Sequence, residues 1–85
     1  MYIDKNIRIK DTKLIKAMKD VGWCEYCGKS IEQLETHHIK SKGSGGNDVR
    51  DNLIALCTTC HRTVHDGNIS RDELKRIVRE RGVLQ

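Results

Sequence analysis

Apolar residues in this chain fall into short, separated clusters, and the clusters differ in period. Leu14, Ile15, Met18 and Val21 recur at helical spacing behind Thr12, which predicts a helix over about 12–21 capped by Thr12 and stopped by Gly22. Leu74, Ile77 and Val78 form a second helical stripe. It follows Ser70-Arg71-Asp72-Glu73, a capping-box pattern, so a helix is predicted over about 70–81 with Gly82 as its terminator. Between them, Thr36-His37-His38-Ile39 and Leu53-Ile54-Ala55-Leu56 read as short strands. The stretch Lys42–Asp48, with Gly43, Gly45 and Gly46, must be a loop. Thr58 or Thr59 can cap a further helix carrying Cys60, His61 and His65. Residues 1–11 read as a polar arm with some strand character from Tyr2, Ile3, Ile7 and Ile9. No repeat or low-complexity tract interrupts this order, so a single α+β domain over 1–85 with a core at 23–67 is expected.

Composition changes that picture in one respect. The chain has 85 residues, 36% apolar and 33% charged, with no Phe. A core that small gives little surplus stability, and chains of this size commonly add a metal or disulfide staple. Four cysteines supply one: Cys24/Cys27 and Cys57/Cys60 form two Cys-x-x-Cys pairs. Each such turn brings two sulfurs to one point, and two turns complete the tetrahedron that zinc prefers, with no position left open. Met1-Tyr2-Ile3-Asp4-Lys5 lacks the apolar segment of a secretion signal, and no stretch is long enough to span a bilayer. The expected compartment is therefore the cytoplasm, where reduced thiols at this spacing favour structural Zn²⁺ over any of the three possible disulfide pairings. A redox role is disfavoured because no thioredoxin-like alternation of strands and helices surrounds either pair. Gly28, just after the second thiolate, is the residue expected to take positive φ so that backbone N–H groups can face sulfur. The net charge of +4 suits a polyanionic partner and equally suits a plain soluble surface.

All four histidines lie within the cysteine-bounded unit or just beyond it. His37 and His38 are adjacent on a strand and so must point to different targets. His61 and His65 are four apart on a helix and share a face, a common grip for a divalent cation. The pattern offers one strand histidine plus the helical pair for a metal, with the other strand histidine left to act as a base. Each histidine taken singly is more often a surface or satisfied core residue, and His65 can serve merely to meet the carbonyls of a helix end.

Taken in order, Cys24-Glu25-Tyr26-Cys27, Glu35-Thr36-His37-His38-Ile39, Gly45-Gly46-Asn47-Asp48, Asn52 to His61 and finally His65 closely resemble the HNH endonucleases, whose zinc-stabilised ββα-metal core is treble-clef-like. The likeness covers residues 23–67 and leaves the flanking helices outside it. It implies that His38 is the general base that takes a proton from water. It implies that His37 is a metal ligand, at a place where the family often has Asp. Asn52 would orient the loop bearing the base, His61 would be the helical metal ligand, and His65 an added one. Lys40 stands where the family frequently has Pro. The implied activity is hydrolysis of DNA phosphodiesters, leaving 5′-phosphate and 3′-hydroxyl ends, with one divalent ion, Mg²⁺, Mn²⁺, Ni²⁺ or Zn²⁺. Lys40, Lys42, Arg50 and Arg62 are near this centre in sequence and are the candidate phosphate contacts. Trp23 and Tyr26 are expected to pack rather than stack on bases. Cutting both strands would take two visits or a homodimer, and a subunit of a phage packaging or restriction complex is a further expectation. The competing reading is a non-catalytic zinc finger that binds nucleic acid or protein.

Overall fold

A computed structural model of the chain describes residues 8–83. The strand character assigned to Tyr2, Ile3 and Ile7 falls outside those residues, and Ile9, which is described, lies in no strand. The elements run α1 (Thr12–Lys19), β1 (Glu35–His38), β2 (Leu53–Leu56), α2 (Thr58–His65) and α3 (Arg71–Val83), an α+β arrangement around a two-stranded antiparallel sheet. Glu35 pairs with Leu56 and His38 with Leu53, so β1 lies one residue earlier than expected. β1 and β2 both carry α1, while α2 and α3 also pack against β2. All four residues of β2 are therefore buried, which is why Leu53-Ile54-Ala55-Leu56 shows no alternation. Met18 from α1, Leu34, Ile39, Ile69, Leu74 and Val78 complete the core, together with Cys24, Cys57 and Cys60.

Several helix boundaries differ from the sequence expectation. α1 stops at Lys19, where the Asp20 N–H turns back to Ala17 O, two residues short of Val21 and ahead of Gly22. Asp11, not Thr12, caps α1, its carboxylate accepting from the Leu14 N–H at 3.0 Å; Asp is the stronger cap. Cys57, not Thr58 or Thr59, caps α2, its sulfur accepting from the Cys60 N–H at 3.4 Å. At α3, Ser70 Oγ accepts from the Glu73 N–H at 3.1 Å as expected. The Glu73 carboxylate, however, is 3.4 Å from the Tyr26 hydroxyl that donates to it, and α3 runs through Gly82 to Val83. That carboxylate also raises the Tyr26 pKa above its ordinary value.

The connection from Lys40 to Asn52 is held by its own bonds. Ser41 caps a 3₁₀ turn over Lys42–Ser44, and Gly45 closes it at φ 86°. Gly46 then passes so close to the Lys40 carbonyl that any Cβ would collide with backbone. Gly46→Ala is therefore expected to lower the stability of the zinc-loaded chain by roughly 1–3 kcal/mol, the usual cost of overpacking, measured by thermal unfolding. An unchanged melting temperature would show that this approach is not required.

Candidate functional site

Two clusters of ligand-type atoms occur among the described residues, and both are built at the junction of the sheet with α2. In each, the ligand atoms lie within 4.8 Å of one another. The first is Cys24, Cys27, Cys57 and Cys60, all free thiols, buried except for Cys27. The knuckle is shaped by backbone: Cys24 N–H donates to Lys29 O at 2.9 Å, and Gly28, at φ 78°, donates to Cys24 O at 2.8 Å. Gly28 thus takes the positive φ expected of it, but its N–H meets the carbonyl; Cys27 N–H is the one that faces sulfur, at 3.5 Å. Two thiolates 2.3 Å from a tetrahedral zinc stand about 3.8 Å apart. Cys27 Sγ and Cys57 Sγ are 4.0 Å apart, so the four thiols form a zinc-type site.

Without an ion the thiols are unequal. Burial pushes the Cys24 thiol up, but hydrogen bonds from backbone at Cys27, Cys57 and Tyr26 outweigh it and bring it down to about 7. Burial, then hydrogen bonding among the sulfurs of Cys57, Cys24 and Cys27, holds Cys60 well above an ordinary thiol. A bound cation removes this conflict by deprotonating coordinated thiols outright.

The second cluster is His37, His61 and His65. His61 Nε2 is 3.3 Å from His37 Nδ1 and 3.2 Å from His65 Nε2. Two imidazoles bound 2.0–2.1 Å from one tetrahedral ion place their nitrogens about 3.3–3.4 Å apart, so these rings are spaced for one cation. Glu35 Oε1 takes the other ring nitrogen of His61, Nδ1, at 2.7 Å. A carboxylate behind an imidazole fixes both its tautomer and its direction. Burial, then the neighbouring His61 and His65 rings, lowers His37 from 6.5 to about 4. Its ring is thus neutral at neutral pH, with a lone pair to offer.

Strand alternation sends His38 elsewhere. Its Nε2 meets Asp48 Oδ1 at 2.7 Å, although both histidines line one cleft with His65 and Arg71. Asp48 is buried and accepts two further bonds, from Arg8 at 2.8 Å and from Asp11 N–H at 2.8 Å. Those donors hold its carboxyl well below the usual carboxylate range, with the Asp11 N–H contributing most. With the carboxylate ionised, Nε2 is the His38 nitrogen that carries a proton toward it. Arg8 also donates to Gly46 O at 3.1 Å, and Ile9 N–H donates to Asn47 Oδ1 at 2.7 Å, so the segment before α1 is fastened to this loop. Asn52 closes it from the other end: Oδ1 accepts from Lys40 N–H at 2.7 Å, and Nδ2 donates to Lys40 O at 3.1 Å and to Asn47 O at 3.0 Å.

The remaining expected residues have simpler surroundings. Lys40, Lys42, Arg50 and Arg62 are exposed. Trp23 and Tyr26 are 52% and 37% exposed, so both stand outside the buried core. Sequence reasoning missed the parts played by Asp48, Glu35, Arg8 and the Glu25–Arg81 pair. Arg81 grips both Glu25 carboxylate oxygens at 2.8 and 2.9 Å and donates to Arg50 O at 2.7 Å, which ties the end of α3 to the knuckle and to the turn before β2.

Asp48→Asn tests the link to His38. It keeps the volume but removes the charge, and one of its two polar atoms becomes a donor where Asp48 accepts at both, from Arg8 and His38 at Oδ1 and from Asp11 N–H at Oδ2. The variant is expected to retain its zinc and to shift the His38 tautomer away from the Nε2–H form, read from ring ¹⁵N chemical shifts. An unchanged ring spectrum would show that Asp48 does not orient it.

The family model for HNH endonuclease matches residues 24–67. The type IV methyl-directed restriction enzyme EcoKMcrA of Escherichia coli (strain K12) is 44% identical over 52 residues, covering 52% of this chain and 19% of that protein. The uncharacterized protein YisB of Bacillus subtilis (strain 168) is 39% identical over 49 residues, covering 58% of this chain and 47% of that protein. A putative COX1/OXI3 intron 2 protein of Saccharomyces cerevisiae (strain ATCC 204508 / S288c) is 33% identical over 58 residues, covering 54% of this chain and 7% of that protein. The chain spans less than half the length of each of these relatives.

Proposed function

The chain belongs to the HNH endonuclease family, and from that premise we propose that it hydrolyses DNA phosphodiester bonds with one divalent ion held by His37, His61 and His65. The observation that carries this reading is the approach of His37 Nδ1 and His65 Nε2 to His61 Nε2, at 3.3 and 3.2 Å, where His37 and His65 line one cleft with His38. The same reading treats the whole chain as one nuclease domain and its four thiols as the seat of a structural zinc, in a reducing cytoplasm. No helix among the described residues is long and apolar enough to cross a membrane.

The chemistry an ion supplies at such a site is Lewis-acid stabilisation of charge on the phosphate and the leaving oxygen. The protein residues do the rest. His38 Nδ1 takes the proton of the attacking water, and Asp48, on Nε2, stabilises the imidazolium that results. Glu35 holds His61 in the tautomer that leaves Nε2 facing its neighbours. Asn52 fixes the backbone at Lys40, just beyond the strand that carries His38. Lys40, Lys42, Arg50 and Arg62 supply phosphate contacts on the exposed surface.

A supercoiled-plasmid assay with Mg²⁺, Mn²⁺, Ni²⁺ or Zn²⁺ added singly tests this. The expected result is open-circular product with at least one of the ions and none without added divalent metal. Tight DNA binding with no turnover under any ion would instead make the chain a non-catalytic zinc module. Methyl-directed recognition is not carried over, because the likeness covers only 19% of the Escherichia coli enzyme.

A further inference from the structure

Helix α3 lies beyond the matched family segment, yet one of its edges opens onto the histidine cleft. Arg71, Lys75 and Arg79 are spaced four apart along it, and residues four apart share a helix face. All three are exposed, and none makes an ion pair among the described residues. The other cations of this helix are engaged: Arg76 lies near Glu73 and Glu80, and Arg81 holds Glu25. Arg71 lines the cleft that contains His37, His38 and His65, and its charge acts on His37. Lys75 and Arg79, further along the same helix face, line a second cleft with Val78 and Asp51. Two cations face one carboxylate there, so the second cleft keeps a net positive charge.

We propose that Arg71, Lys75 and Arg79 form a track for the sugar-phosphate backbone of DNA, leading away from the histidine cleft along α3. A step of four helical residues rises about 6 Å, so the track is about 12 Å long from its first to its last Cα. Phosphates follow at 3.4 Å of axial rise per strand in duplex DNA, so about three or four of them pass along that length. The occupant is identified by charge and by continuity: a polyanion bound at Arg71 already reaches the proposed reacting centre. This inference rests on the nuclease reading for its substrate, and the site it adds lies outside the family match.

The test compares two triple variants that remove the same charge from exposed helix surface. One is Arg71→Ala with Lys75→Ala and Arg79→Ala; the other, on α1, is Lys13→Ala with Lys16→Ala and Lys19→Ala. Binding of a fluorescent DNA duplex is measured against salt concentration with no divalent metal added, after checking that zinc content and circular dichroism match the wild type. Each lost phosphate contact lowers the slope of log K against log salt by roughly 0.9, so the α3 variant is expected to lose up to roughly 2.7. The α1 variant is expected to keep the wild-type slope. In the nicking assay the α3 variant should raise KM and hold kcat. A wild-type slope in the α3 variant, an equal loss in the α1 variant, or no DNA binding by the wild-type chain overturns the track. A wild type that nicks DNA while the α3 variant binds normally sinks the track alone. A wild type that shows the α3-dependent slope but never nicks under any ion sinks the nuclease reading and supports the track as a binding surface.

Discussion

Replacing His38 by alanine is expected to lower metal-dependent plasmid nicking by about 10²–10⁴-fold, the usual worth of a positioned general base. The loss should fall on kcat, since the proposed ligands His37, His61 and His65 remain, as do the exposed basic residues. Folding should survive for a reason visible around Asp48. When the imidazole leaves, the buried carboxylate still accepts from Arg8 at 2.8 Å and from Asp11 N–H at 2.8 Å, so no buried charge is left unpaired. The measurement is single-turnover nicking at saturating protein, beside zinc content and a thermal melt. A variant that cuts as fast as the wild type would end the assignment of His38 as base, whatever the ion requirement. Cleavage by both at the background of an ion-free control would end the enzyme reading itself.

Much of the site could be read from sequence because its chemistry is local. Cys-x-x-Cys turns gather two sulfurs by backbone geometry alone, and His61 and His65 share a face because helices have a fixed period. The antiparallel pairing of His37 with Ile54 then brings the strand histidine beside α2, which starts only four residues later at Thr58. What escaped the sequence is long-range pairing. Arg8 reaches Asp48 across 40 residues and Arg81 reaches Glu25 across 56, and neither pair has a periodic signature. Asp48 is part of the Gly-Gly-x-Asp pattern, but nothing in the pattern tells that its carboxylate faces His38. The shifted caps have a different cause. Asp11 and Thr12 both qualify as cap residues, and only the backbone of the preceding segment, pinned through Asp11 N–H to Asp48, decides between them. A thiol is an unusual cap, so Cys57 carries no cap signal in sequence. Its sulfur accepts the Cys60 N–H only because the metal-type turn has already folded the chain to that shape.

Removing zinc, or the thiols that hold it, should have a larger effect than any substitution outside the cage. Chelation, or Cys57→Ser with Cys60→Ser, is expected to abolish cooperative thermal unfolding and to collapse the dispersion of amide NMR signals. The magnitudes decide this. A structural zinc contributes on the order of 10–16 kcal/mol of apparent binding free energy at neutral pH, while a whole domain is stable by only about 5–15 kcal/mol. Few buried aliphatic side chains are present to make up such a deficit, and three of the thirteen core residues are themselves cage cysteines. The cage also joins distant parts: it ties the 24–27 knuckle to the turn between β2 and α2, where Cys57 caps the helix that holds His61 and His65. Loss of zinc should therefore scatter the imidazoles along with the core. The released zinc, read with a chromogenic chelator, should approach one ion per chain as the fold melts. An apo chain that keeps a sharp, unshifted thermal transition would show that apolar packing alone holds the sheet to its helices, and the thiol cluster would then need another purpose.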